Sequence, residues 1–382
     1  MLILIVLLGS SVAGRQLFAD GTTDVVQSML DPGWFPENQQ TPRRAFALLW
    51  ITLPPRIVGI VSENNINVAA FLFGLASYLQ IAIPLIILLR SKLVAPIKSL
   101  FVVLFVSATI FLANFASSEL LFALALTTLF TIFTLDKNQD TNYWKRYVCA
   151  GLLIASYEVV AISNVLLALA TFYSVEDGKR RFLIAILLAA LPFQVICFFS
   201  EPTTPGHDVL NVFDLEITGI ALIGVLSALL STKWLVRWSP STVLLMAACL
   251  FIPLLMIALP SEFLYLKTRE FQYAYPSRIF SAAVMIIIAA VPILFNKRFF
   301  AWPTNLLYWL TPRAISNAAV IALTAFYSVS VLASVDAMRY RKRLVNETSS
   351  LSEQTLPQGC GFCYDPQHYG YPDLAYPSHW AS

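Results

Sequence analysis

The sequence predicts an all-α integral membrane protein, a polytopic bundle of about 11 crossings with interfacial amphipathic helices in its first outer loop. Of the 382 residues, 58% are hydrophobic and only 12% are charged, whereas soluble domains carry about 25% charged residues. Apolar runs recur from Met1 to Ser334 with short polar stretches between them. Threaded through a bilayer, these runs leave loops that are alternately basic and acidic, which fixes an orientation. The sequence therefore predicts a membrane domain over residues 1–337 and a short extracytoplasmic tail over residues 338–382.

The predicted spans are apolar runs close to the roughly 20 residues that cross a bilayer as a helix. The N-terminal run from Met1 to Gly14 is shorter and lacks the basic residues that open a signal peptide. We interpret it as a short first span or the remnant of one. The other clear candidates are residues 67–90, 99–116, 119–135, 182–199, 216–234, 241–260, 279–296 and 315–337.

The run 148–174 is long for one crossing and carries Glu158 at its middle, where a carboxylate costs roughly 2.5–3.5 kcal/mol on insertion scales. It is either one helix with Glu158 facing a cavity, or two short helices that meet at the outer face. The positive-inside rule favours the hairpin, because a single helix would put the basic residues 179–181 outside and invert every later loop. The predicted N-terminus is therefore cytoplasmic. The basic group 339–343 then lies outside, where an amphipathic helix on the lipid surface would hold it.

The first outer loop, residues 15–66, contains two predicted interfacial segments. Apolar residues within 17–30 have roughly helical spacing, and Asp20 and Asp24, four residues apart, share one face. A turn at 31–33 ends this segment. The second amphipathic segment opens at Pro42-Arg43-Arg44 and includes Trp50, Pro54, Pro55 and Arg56.

The residue types on the predicted outer face suit the chemistry of a lipid-linked phosphate. A carboxylate acts as a general base or holds a divalent metal such as Mg²⁺ or Mn²⁺, and arginine binds phosphate through two hydrogen bonds. Asp20 and Asp24, together with Arg278 or Arg43, would supply both functions. The adjacent His207-Asp208 is the candidate pair of metal ligands.

Each of these residues also has an ordinary structural interpretation, which stays open at this point. The two aspartates can cap or solvate an interfacial helix, and Glu158 can be a polar residue at a hairpin tip. Arg278 and Arg43 can extend to lipid headgroups from the interface. The His207-Asp208 pair can belong to a plain surface loop.

Three short motifs in these segments resemble the polytopic GT-C glycosyltransferases, over the whole predicted membrane part of the chain. Asp20-Gly21 followed by Pro42-Arg43-Arg44-Ala45-Phe46-Ala47 is similar to the first outer loop of bacterial members. Ser156-Tyr157-Glu158 is similar to their Tyr-Glu hairpin, and Tyr275-Pro276-Ser277-Arg278 is similar to the arginine that ends their late outer loop.

The resemblance implies a glycosyltransferase that moves a sugar from a polyprenyl-phosphate donor to an acceptor on the extracytoplasmic face of a bacterial plasma membrane. It implies catalytic roles for Asp20 and Glu158, and one base without a covalent nucleophile indicates single displacement with inversion. The first outer loop has no tight Asp-x-Asp or Glu-Asp pair, so metal use is not implied by this motif. The short tail suggests a truncated chain or a missing partner. The implied substrate-binding residues are Arg278, Arg43, Tyr275 and Asp24.

Two other functions stay open on the sequence. A transporter or flippase is expected to show paired repeats and charged or broken helices at the midplane, and only Glu158 is an acid within a predicted span. A non-catalytic membrane subunit of an envelope assembly would fit the short motifs and the short tail. No basic patch with interleaved aromatic residues is present, which argues against nucleic acid as a partner.

Overall fold

The structure, a computed structural model, describes residues 2–12, 25, 29, 44–61, 66–114, 119–136, 143–157, 159–174, 177–200, 274–294, 316–328, 330, 331 and 334. This part of the chain is helical and contains no strand, which confirms the prediction of an all-α fold for it. Residues 316–328 are helical. The helices that precede them are α1 (Leu2–Val12), α2 (Ala45–Val61), α3 (Ile66–Arg90), α4 (Ala95–Asn114), α5 (Leu120–Leu135), α6 (Tyr143–Leu153), α7 (Val160–Ser174), α8 (Asp177–Ser200) and α9 (Ala274–Leu294).

α3 is, within the described ranges, the one helix long and apolar enough to cross a membrane, over Asn67–Arg90. It coincides with the predicted span 67–90. α1 has 11 residues and is therefore about 16 Å long, roughly half the thickness of a bilayer core. The predicted spans 216–234 and 241–260 and the tail 338–382 lie outside the described residues.

The core of the bundle is built from helices that are apolar around their whole circumference. In α5, every residue is buried except Leu129 and Leu135, as expected for a helix enclosed by others. The hydroxyls of Thr128, Thr131 and Thr134 donate to carbonyls four residues earlier at 2.7–2.9 Å. These local bonds keep polar atoms satisfied in apolar surroundings.

Short connections make α4 antiparallel to both α3 and α5 and give the bundle two ends. We call the end where α3 gives way to α4 the basic end. The carbonyl of Phe133, near the end of α5, lies there and accepts a hydrogen bond from Arg146 Nε in α6 at 3.0 Å. We call the opposite end, where α6 gives way to α7, the turn end. The cationic residues that collect at the basic end are Arg90, Lys92, Lys98, Lys145, Arg146, Arg180 and Arg181.

The run 148–174 is broken into two helices, as the hairpin interpretation predicts. α6 ends at Leu153, and a turn leads into α7 at Val160. The rings of Tyr147 in α6 and Phe182 in α8 are 5.7 Å apart near the basic end. At the turn end, Gln194 Nε2 of α8 donates to the carbonyl of Ile154 at 2.9 Å. α8 thus runs in the same direction as α6, and α7, which packs on α8 across a short connection, returns to the basic end.

α9 packs against three other helices, α4, α5 and α7. Ser281 Oγ donates to the carbonyl of Ala108 in α4 at 2.7 Å, and both residues are buried. Ala108 lies in the last third of α4, which ends at the turn end, and Ser281 lies early in α9. The first turns of α9 are therefore at the turn end as well.

α2 pairs with the first half of α3, and the two helices are joined by residues 62–65. Trp50 Nε1 donates to the carbonyl of Ala76 at 2.8 Å, which fixes the pairing. A second, smaller core covers this pair from the first loop: Val25 and Met29, four residues apart and helical, pack with Leu48, Ile51, Val58, Ala69, Leu72 and Phe73. Val25 and Met29, the two residues of the predicted segment 17–30 that the structure describes, are helical, and the rest of that prediction lies outside the described residues.

The exposed side of α2 differs from the expected amphipathic pattern. The helix continues through Pro54 and Pro55, and its exposed large side chains are apolar. Apolar residues occur at most positions of the segment, so both the packed face and the outward face are apolar. Arg56 is the single charged residue within the bounds of α2.

Candidate functional site

Three side chains from separate parts of the chain meet at the turn end: Arg44, Glu119 and Tyr157. Arg44 Nη1 lies 3.6 Å from Glu119 Oε1, and their side chains are 21% and 15% exposed. The guanidinium carbon of Arg44 lies 5.0 Å from the centroid of the Tyr157 ring. We call this group the turn-end cluster.

Backbone contacts hold the cluster in place. The Phe46 N–H donates to the carbonyl of Ala155 at 2.9 Å, so the start of α2 is bound directly to the turn after α6. The turn itself is closed by Ser156 Oγ, which donates to the carbonyl of Leu153 at 3.1 Å, and by the Val160 N–H, which donates to the carbonyl of Tyr157 at 3.2 Å. The start of α2 is therefore held by a backbone hydrogen bond to a turn that is itself closed by hydrogen bonds.

Ring packing anchors the same contact to α5. The rings of Trp50 in α2 and Phe122 in α5 are 6.0 Å apart, within the range of favourable aromatic pairs. Glu119 immediately precedes α5 and lies one turn from Phe122. The packing of α2 against the start of α5 thus places Glu119 beside Arg44.

The cluster is a partly exposed ion pair that packs on the face of an aromatic ring. Arg44 Nη1 and Glu119 Oε1 are within ion-pair distance at 3.6 Å. The face of Tyr157 orients the guanidinium through cation–π attraction. Because phosphate can accept two parallel N–H bonds from an arginine, Arg44 is a candidate residue for binding an anion.

Two of the residues predicted from the sequence lie on described backbone near this end. Tyr275 and Arg278 belong to the first turns of α9, which the Ser281–Ala108 bond places at the turn end. The structure therefore brings the helix start that carries Arg278 to the same end of the bundle as Arg44 and Tyr157.

The other predicted site residues lie outside the described residues: Asp20, Asp24, Arg43, Glu158, His207 and Asp208. Their roles stay predictions. Chain neighbours of two of them are in the cluster, since Arg44 follows Arg43 and Tyr157 precedes Glu158. Val25, which follows Asp24, lies in the second core between the first loop, α2 and α3.

Glu119 was not identified as a site residue from the sequence. The sequence shows an acidic residue at the start of the apolar run 119–135, but this position alone does not indicate which residue it pairs with. The part of the chain that the structure describes contains no group of three or more His, Cys, Asp or Glu residues placed to hold a metal ion.

What the turn-end cluster can bind is inferred from its geometry alone. Comparison of the chain with protein-family models, with curated proteins and with solved structures gave no match.

Proposed function

We propose that this protein is a polytopic membrane glycosyltransferase that uses a polyprenyl-phosphate-linked sugar as donor. The proposal extends the single described span to a bundle of about 11 crossings, because outward faces of other helices are apolar too. Large apolar side chains are exposed on α7 and α8 although both helices also pack inward. Apolar surface on both the inside and the outside of a bundle suits lipid better than water. These exposed residues include Ile162, Leu169 and Phe172 of α7 and Leu188, Val195 and Ile196 of α8.

The two ends of the bundle give the proposed orientation. Among the described side chains, the basic end carries seven lysines and arginines and one acid, Asp136. Positive residues favour the cytoplasmic side, so the turn end faces the outer leaflet. A lipid-linked phosphate has to be met at the level of the headgroups, because its chain stays in the bilayer.

One observation carries the proposal: the hydrogen bond from the Phe46 N–H to the carbonyl of Ala155 joins the first-loop segment to the turn that precedes Glu158. The start of α9, with Arg278, lies at the same end. These segments carry Arg43, Glu158 and Arg278, which the sequence predicts to bind substrate, to act at the hairpin and to bind the donor phosphate, and the predicted base Asp20 lies earlier in the same first loop as Arg43. Arg44 adds a cation whose side chain is described and partly exposed.

In the proposed reaction, Asp20 takes the proton of an acceptor hydroxyl as the hydroxyl oxygen attacks the anomeric carbon of the donor sugar. The bond between that carbon and the phosphate oxygen breaks, and the polyprenyl phosphate leaves with the bonding electrons. A single displacement inverts the configuration at the anomeric carbon. Arg44 and Arg278 stabilise the negative charge that develops on the departing phosphate.

The test is an assay with the purified full-length chain in lipid nanodiscs and a radiolabelled polyprenyl-phosphate sugar. Cell-envelope material serves as the source of acceptor. We expect label to leave the lipid fraction and become covalently attached to acceptor. Asp20→Asn should reduce this transfer by more than about a hundredfold, the size of a general-base contribution, while the protein still inserts and purifies normally.

Asp31→Asn is the matched control, because Asp31 lies in the predicted turn of the same loop and has no proposed role. It should keep most of the activity. A protein that moves labelled lipid between leaflets without cleaving it would be a transporter, and one that does neither would be a structural subunit. Either result would overturn the proposal.

A further inference from the structure

Three helices expose large aromatic rings at the basic end of the bundle. Trp144 lies in the first turn of α6 and is 63% exposed, and Phe172 lies in the last turn of α7 and is 47% exposed. Phe182, near the start of α8, is 66% exposed. Exposed aromatic rings collected at one end of a bundle are typical of the border between the hydrocarbon core of a bilayer and its headgroups.

Contacts between side chains make these rings one continuous surface. The contact between the rings of Tyr147 and Phe182, at 5.7 Å, joins α6 to α8. Arg180 of α8 joins α7, because its guanidinium carbon lies 4.7 Å from the centroid of the Phe172 ring and its Nη1 donates to the Phe172 carbonyl at 3.0 Å. The surface therefore extends from α6 across α8 to α7.

Cations lie among the rings of this surface. Lys145 Nζ lies 5.3 Å from the ring of Phe133 and 5.9 Å from that of Trp144. Arg181, which follows Arg180, is exposed. We call the surface the aromatic–basic rim, and it consists of Trp144, Lys145, Phe172, Arg180, Arg181 and Phe182.

The charge of this end is positive whichever pairs form within it. The three stretches that join described helices here are 90–98, 136–147 and 175–181, and together they contain nine lysines and arginines but four aspartates and glutamates. Even if every acid neutralises one cation, cations remain in excess. The end therefore attracts anions, and the rings beside the cations favour an anion that carries hydrocarbon.

We infer that the aromatic–basic rim binds an anionic phospholipid, with the lipid phosphate beside the cations and the upper parts of the acyl chains against the rings. A soluble phosphate ion matches only the charge of the rim, and a zwitterionic lipid matches mainly its rings. Basic surfaces between membrane helices on the cytoplasmic side are suited to anionic headgroups. The inference goes beyond sugar transfer and requires only that the bundle lies in a bilayer.

The direction of the bound chains also fits. From the rim towards the middle of the bundle, the outward faces of α7 and α8 stay apolar, since Leu169 and Leu188 are exposed as well. Acyl chains that start at the rim would therefore run along these two helices into the bilayer. In the proposed orientation the rim lies in the cytoplasmic leaflet, whose surface is negatively charged.

The experiment compares phosphatidylglycerol with phosphatidylcholine of identical acyl chains, mixed in equal amounts in nanodiscs that hold the full-length chain. Native mass spectrometry counts the molecules of each lipid that stay bound after the disc is removed. The wild-type chain should retain phosphatidylglycerol over phosphatidylcholine by at least about tenfold, because each basic residue near the surface strengthens attraction to anionic lipid about fivefold. Arg180→Gln/Arg181→Gln should reduce this ratio by about fivefold or more.

The single variant Arg181→Gln keeps the bond from Arg180 to the Phe172 carbonyl, so it tests the rim even if the double variant fails to fold. It should reduce the ratio by about twofold or more. The matched control is Arg90→Gln/Lys92→Gln, which removes two exposed cations from the same end. Both control residues follow the packed part of α3, which contacts α1, α2, α4 and α5. The control should leave the ratio nearly unchanged.

Two results would overturn the inference. An equal loss in the control would show that the positive charge of the whole end, rather than the rim, attracts the lipid. A loss of bound phosphatidylglycerol on adding inorganic phosphate, beyond that caused by chloride at equal ionic strength, would show that the rim binds a soluble anion. Because the rim and the turn-end cluster lie at opposite ends, Arg180→Gln/Arg181→Gln should leave sugar transfer nearly unchanged, and failure of the transfer assay would leave the lipid result standing.

Discussion

Arg44 is the residue on which the described part of the proposed site depends. Replacing it with Gln keeps much of the size but removes the charge and the two-pronged donor. Hydrogen bonds to charged groups contribute about 1.5–3 kcal/mol, so donor affinity should fall by about 10- to 100-fold. Arg44→Lys should recover part of the loss, since it restores the charge without the planar fork. The measurement is the apparent KM for the lipid-linked donor.

Arg56→Gln is the matched control for Arg44. Both residues belong to the second loop segment, but Arg56 lies three turns along α2 and away from the turn-end cluster. Its replacement should change KM by less than about twofold, as expected for a substitution remote from the phosphate. Equal effects of the two substitutions would show that general positive charge, rather than the cluster, attracts the donor.

Arg146 is a residue of the opposite kind, since its role is structural. It is fully buried, its Nε donates to the carbonyl of Phe133 in the last turn of α5, and its guanidinium carbon lies 5.3 Å from the centroid of Tyr143. A cation at a helix C-terminus bonds a carbonyl that has no partner within the helix and complements the helix dipole. Arg146→Leu should therefore lower the apparent melting temperature by several degrees, as measured by scanning fluorimetry in detergent.

Lys145 provides the comparison for Arg146 within the same turn of α6. Its Nζ lies 5.3 Å from the ring of Phe133 and 5.9 Å from that of Trp144, and its side chain is partly exposed. Cation–π contacts at exposed sites contribute about 0.5–1 kcal/mol. Lys145→Gln should thus cost clearly less than Arg146→Leu. The reverse order would contradict the structural role given to Arg146.

At the scale of helices, the docking of the first loop onto α2 depends on one close approach. A Cβ added at Gly59 would lie 2.9 Å from the carbonyl oxygen of Met29 and 3.1 Å from its Cα. Both atoms belong to backbone, so neither can rotate away. Gly59→Ala should therefore loosen the segment that contains Val25 and Met29, increase its cleavage by added protease, and lower transfer activity.

Gly151→Ala tests whether steric contact is the cause. Gly151 is also helical, near the end of α6, and an added Cβ would meet nothing within 4 Å. Alanine favours helix by about 1 kcal/mol over glycine, so this variant should be neutral or slightly more stable. If Gly59→Ala behaves in the same way, the contact with Met29 does not hold the loop.

Helix positions were the part of the fold that the sequence predicted well. Span 67–90 coincides with α3, and the acid at Glu158 indicated the break between α6 and α7, because a buried carboxylate is costly in the middle of an apolar helix. The pairing of Glu119 with Arg44 was not predictable from the sequence. The two residues are 75 positions apart, and only the packing of α2 against α5 brings them together. The apolar outward face of α2 was missed because the segment was expected to be an amphipathic helix in the interface, with one polar face.

At the scale of the whole molecule, the two-ended arrangement explains how one helical bundle can present different chemistry at each end. Along α6 and α8, which run in the same direction, cations lie near the starts of the helices and the turn contact lies near Gln194. Because α7 returns between them, Tyr157 in the turn and the basic residues Arg180 and Arg181 lie at opposite ends. This separation follows from the hairpin and would be lost if the run 148–174 were one helix.

The hairpin therefore makes a prediction about sidedness. In a variant with the five natural cysteines replaced, single cysteines are introduced at Lys98, Glu158, Arg181 and His207. A membrane-impermeant maleimide added outside should label the cysteines at Glu158 and His207, because a charged reagent cannot cross the bilayer. It should label those at Lys98 and Arg181 only after the membrane is opened with detergent. Labelling at Arg181 from outside, with Lys98 still protected, would require residues 148–174 to cross as a single helix. It would place the start of α8 on the side of the turn-end cluster and contradict both the proposed orientation and the contact of Gln194 with Ile154.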